Sequence, residues 1–73
     1  MNAAVEKAMD AWAALAFHNG KADMLVNDLL EEIAGEKYIE DDDDPIVTTM
    51  ENLSDEERER FMEGCEEIWR VVK

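Results

Sequence analysis

Apolar residues recur at helical spacing in four segments of the chain, with charged positions on the opposite faces. Over residues 3–18, Ala4, Val5, Ala8, Met9, Trp12, Leu15 and Ala16 share one broad face at 100° per residue, and Glu6, Lys7 and Asp10 lie opposite. Seven positions of this segment are alanine, the best helix former. Phe17 is a misfit that falls on the polar side. Asn19-Gly20 is expected to end the helix, because glycine takes the left-handed terminal conformation without a Cβ penalty. A second helix is predicted over residues 22–34, with Leu25, Val26, Leu29, Leu30 and Ile33 as its apolar stripe. Asn27, Asp28, Glu31 and Glu32 face water, Asp23 caps or complements the helix start, and Gly35 closes the element.

Residues 36–44 break the pattern. Four adjacent aspartates, Asp41 to Asp44, repel one another and are poor helix formers, so a loop is expected. Asp44-Pro45 then signals a helix start, with a capping carboxylate followed by proline at the first helical position. A short helix over residues 45–52 carries Ile46, Val47, Met50 and Leu53 inward. The last helix opens on a capping box, Ser54 at N-cap and Glu57 three residues on. Phe61, Cys65, Ile68 and Val72 follow on one stripe, with Met62 and Trp69 beside them. These elements predict an all-α fold: a small bundle of three main helices plus one short helix, with an acidic loop between the second and third.

Residues 1–73 are expected to form a single domain. A chain this short hides only about 60% of its unfolded surface, so its core is thin. One cysteine forbids an internal disulfide, and no Cys/His pair stands at zinc-ligand spacing. Good helix packing together with self-association is therefore expected, and a homodimer in particular. The N-terminus lacks a basic stretch before an apolar run, and Ala11–Phe17 falls far short of a membrane helix. With its free thiol the chain is expected to be cytoplasmic.

Twenty acidic against seven basic side chains give a net charge of −13. Such a surface repels nucleic acid and anionic membranes and attracts basic protein surfaces. Hydrophobic content of 47% with two tryptophans argues against disorder as its explanation.

Catalytic chemistry finds no footing. Cys65 lies mid-helix on the apolar stripe, where a thiol is a core side chain rather than a nucleophile. His18, the single histidine, reads as a complement to the negative helix end or as a surface residue. Triads, phosphate-cradling glycine loops and helical His-x-x-x-His pairs are absent, so neither enzymatic activity nor a cofactor is expected. Asp41–Asp44 lack the alternating ligands and glycine turn of a calcium loop, so no dedicated metal site is expected. Small acidic helical chains include the acyl carrier proteins, and Asp23-Met24-Leu25 is the nearest approach to their Asp-Ser-Leu site. Methionine stands where the prosthetic group would attach, and the segment before it is too short for their first helix and loop. Carrier function is excluded on that ground.

What remains is an acidic face. Glu56, Glu59, Glu63, Glu66 and Glu67 form a row along the last helix, since residues three or four apart place their side chains about 5–6 Å apart. Glu56–Arg60 and Glu66–Arg70 are expected as helix-stabilising pairs, yet two arginines cannot neutralise five glutamates. Together with Asp41, Asp42, Asp43 and Asp44, the row is expected to occupy a basic groove of a partner protein, the groove that binds nucleic acid, as a decoy. In general type this resembles the small phage-encoded inhibitors of host defence or DNA-processing proteins. The alternative is a structural or adaptor protein that uses Phe17 and Met24 as an apolar anchor, with acidity serving solubility.

Overall fold

In the computed structural model, which describes residues 2–72, the chain forms four α-helices and one 3-10 turn. The elements are α1 (Ala3–Ala16), α2 (Gly20–Ala34), the 3-10 turn Gly35–Lys37, α3 (Pro45–Asn52) and α4 (Asp55–Val72). Helices α1, α2 and α4 pack against one another, most extensively α2 against α4, and α3 rests on α1. The all-α bundle of three main helices and one short one follows directly from the apolar periodicity.

Helix ends show local chemistry at work. The Asn2 side chain accepts the Ala4 and Val5 amides at 2.8 and 3.1 Å, which starts α1. The turn after it differs from expectation. Helix α1 stops at Ala16, two residues early, and Gly20 is the first residue of α2 rather than the end of α1. Asn19 is extended, and its side chain accepts the Ala22 amide at 2.8 Å. Asn19 is thus the N-cap of α2, and Asp23 sits in the first turn beyond it. Asn-Gly can serve either helix; with only residues 17–19 between the two, the cap on the incoming helix wins. Gly35 closes α2 with φ +53°, a conformation that suits glycine, and its N–H donates to the Glu31 carbonyl.

Asp44 occupies the N-cap position of α3, but its side chain caps nothing. Asp42, two residues earlier, accepts the Asp44 amide at 3.3 Å and the Thr48 hydroxyl at 2.8 Å, which ties the loop to the first turn of α3 without capping it. Thr49 is fully buried, and its hydroxyl accepts the Ile39 amide at 3.1 Å, pinning the loop to α3. The capping box of α4 forms in both directions: Ser54 N–H donates to Glu57 Oε1 at 2.8 Å, and Glu57 N–H donates to Ser54 Oγ at 3.2 Å.

The core gathers Val5, Ala8, Leu15, Val26, Leu30, Met50, Leu53, Phe61 and Cys65, with Ala22 and Ala34 at helix contacts. Burial pushes the Cys65 thiol up to about 12, so it stays protonated at neutral pH. Asn27, expected in water, is half-buried: its Oδ1 accepts Trp12 Nε1–H at 2.9 Å, and its amide donates to Asp23. At Gly64 the Leu29 side chain of α2 lies against the backbone of α4. A Cβ there would stand 2.6 Å from Leu29 Cδ2, so only glycine leaves room for the leucine as placed.

Candidate functional site

The carboxylates singled out in the sequence are all at the surface. Glu56, Glu59, Glu63, Glu66 and Glu67 are exposed along α4, and Asp41 to Asp44 are exposed before α3. Their ionic surroundings differ from expectation. Neither Glu56–Arg60 nor Glu66–Arg70 forms an ion pair among the described residues; the pairs present are Lys37–Glu57 and Asp55–Arg58, each at 2.6 Å. Exposed arginines gain too little from such pairing to offset the entropy of holding two long side chains together. No carboxylate of the acidic row is in an ion pair among the described residues.

The acidic surface extends beyond α4. Glu59 borders a hollow between α1 and α4, beside Lys7 and Met62. Glu63 and Glu67 face the other way, onto the groove between α4 and α2, where Glu32 joins them together with Arg60. Asp28, one turn before Glu32 on α2, borders the same groove farther along. Asp28 and Glu32 are members of the acidic surface that the sequence placed only on a water-facing side of α2. No periodicity within one helix could have joined them to α4, because the union depends on how the two helices pack at Leu29 and Gly64.

The aspartate run plays a mixed part. Asp42 is committed to its two hydrogen bonds, from the Thr48 hydroxyl and the Asp44 amide, which hold its carboxyl below the usual range. The preceding segment is tied to the start of α4 by Lys37 and Glu57. Hydrogen bonds from Lys37 and from the Ser54 amide hold the Glu57 carboxyl down to about 2. Among the described residues, no group of three or more His, Cys, Asp or Glu side chains is placed to hold a metal ion.

Comparison of the chain with protein-family models, curated proteins and solved structures finds no match.

Two apolar features lie outside the acidic row. Phe17 is 81% exposed and Met24 59% exposed, so neither is covered by the acidic loop. Phe17 meets Trp12 edge-on at 6.1 Å, while His18 stacks edge-on against Trp69 at 4.8 Å. Val71, which the apolar stripe of α4 did not include, is 61% exposed beside the α2/α4 groove. Arg58 was also missed. It is buried, with Nη1 donating to the Met50 and Leu53 carbonyls at 2.8 and 2.6 Å. It holds the end of α3 to α4. Among the described residues, no helix is long and apolar enough to cross a membrane.

Proposed function

We propose that this protein is a small acidic inhibitor that occupies the basic, nucleic-acid-binding surface of a partner protein. The observation that carries the proposal is the row Glu56, Glu59, Glu63, Glu66 and Glu67, held on one helix with no ion pairs among the described residues. At 1.5 Å rise per residue the row averages about one charge per 4 Å of helix axis, comparable in density with the 3.4 Å spacing of charges along one DNA strand. Asp28 and Glu32 add a second line of carboxylates across the groove. Rigid helices keep these charges in place, so the partner's lysines and arginines meet a preformed array rather than a floppy acidic tail. A protein of this kind acts in the manner of phage anti-defence inhibitors, in the cytoplasm, and does not contact nucleic acid itself.

The alternative is an adaptor or assembly protein that docks through Phe17 and Met24, favoured by the 81% exposure of Phe17. Competition separates the two. A partner bound through the carboxylate array must release this protein when saturating duplex DNA is added at constant ionic strength. A partner bound through Phe17 keeps it.

A further inference from the structure

The groove between α2 and α4 is not uniformly polar. Its floor is made by Leu25, Leu29 and Ile68, all half-buried, and Val71 stands exposed at its edge. Its walls carry Asp28 and Glu32 from α2 and Glu67 from α4. The volume is about 350 Å³, and the groove runs on toward Glu63 and Arg60 past Gly64. Gly64 and Leu29 contribute to this shape: the Leu29 side chain takes the space that a side chain at position 64 would fill.

Apolar floor and anionic walls together select an occupant. A second copy of this face would bring Asp28, Glu32 and Glu67 against their own counterparts, in a chain already at −13. A nucleic acid is repelled for the same reason. A helix with one apolar stripe flanked by lysines or arginines matches both features, and helix-in-groove docking reads such stripes at i, i+3, i+4 and i+7.

We propose that the α2/α4 groove binds a basic amphipathic helix of the partner protein, with its apolar stripe on Leu25, Leu29, Ile68 and Val71 and its cations on Asp28, Glu32 and Glu67. This rests on the acidic-surface function proposed above and gives the partner a specific chemistry. It also makes the contact more than electrostatic, so part of the affinity survives high salt.

Val71 supplies a test in which two physical accounts differ in sign. Val71→Asp adds a negative charge and removes an apolar contact at an exposed position near the end of α4. A purely electrostatic contact tightens; a docked apolar stripe loosens. The probe is a synthetic 14-residue peptide with leucine and lysine at helical spacing, together with a scrambled isomer of the same composition. Binding is measured by titration to the full chain, and NMR shifts of its backbone amides locate the site. The expected result is that the helical peptide binds at least about tenfold tighter than its isomer, with shifts gathered in residues 25–32 and 64–71, because one well-buried aliphatic contact alone changes affinity about tenfold. Val71→Asp weakens the helical peptide by a similar factor, and Val71→Ser, which leaves the charge unchanged, weakens it as well. Unchanged far-UV spectra of both variants show that the fold persists. Equal binding of the two peptides, tighter binding by Val71→Asp, or shifts centred on residues 17–24 or 40–44 overturns the groove proposal. If that happens while duplex DNA still displaces the partner, the acidic-surface function stands without the groove. If DNA fails as well, both fall.

Discussion

Replacing Arg58 by methionine removes a buried tie between the end of α3 and the start of α4 while keeping much of the side-chain length. Arg58 Nη1 donates to the carbonyls of Met50 and Leu53, whose side chains lie in the core. These carbonyls belong to the end of α3, where no further helical N–H follows to satisfy them. Hydrogen bonds to charged groups contribute about 1.5–3 kcal/mol each, and two at the low end make about 3 kcal/mol. The third contact, to Asp55 at 2.6 Å, adds little, because the Asp55 side chain is 89% exposed. A domain of this length has about 4–11 kcal/mol of stability in all, so the loss is severe. Urea unfolding followed by tryptophan fluorescence measures it. With a slope of about 1 kcal/mol per molar urea, the midpoint of Arg58→Met falls by about 2–3 M at an unchanged slope. Asp55→Asn costs less than about 1 kcal/mol. A loss below about 1 kcal/mol for Arg58→Met, or equal losses for the two variants, refutes the assignment of Arg58 as a tie to the α3 carbonyls.

Glu57 sets a prediction in pH. Lys37 and the Ser54 amide hold its folded-state value down to about 2 against an ordinary 4.5, so its contribution is full above pH 4.5 and is lost as pH falls through about 2. Glu57→Gln keeps a capping amide but loses the ion pair; it should be less stable than the parent at pH 7 and converge with it near pH 2, and a difference independent of pH contradicts this. Self-association is the other prediction. The thin core and the exposed Phe17 and Met24 lead to a dimer at about tens of micromolar, and Phe17→Ser shifts it toward monomer; sedimentation showing a stable monomer for the parent contradicts it.

Local signals in the sequence carried most of the architecture. Ser54 and Glu57 stand three residues apart, and the capping box they make needs nothing from the rest of the chain. Asp44-Pro45 likewise located the start of α3, although no side chain caps it and the Asp42 carboxylate instead bonds the Asp44 amide and the Thr48 hydroxyl. Asn19-Gly20 failed for another reason: the same pair suits the end of one helix and the start of the next, and only the short connection decides. Thr49, Asn27 and Arg58 were illegible because their partners, Ile39, Trp12 and the end of α3, are distant in sequence or belong to another element. The candidate surface followed the same division. Exposure of the α4 glutamates was legible from periodicity, whereas their meeting with Asp28 and Glu32, and the apolar floor between them, depend on the packing of α2 on α4.

On the proposed function, carboxylates on α4 carry binding to a basic partner surface. Changing Glu56, Glu59, Glu63 and Glu67 together to glutamine tests it most directly, since all four are exposed and the fold does not need them. Binding of the parent and of the quadruple variant to a partner purified from the native host is measured across a range of salt concentrations. Four exposed pairs at about 0.5 kcal/mol each come to about 2 kcal/mol, so the variant should bind about thirtyfold more weakly at low salt and show a shallower salt dependence. Equal affinity of parent and variant at low salt contradicts the claim.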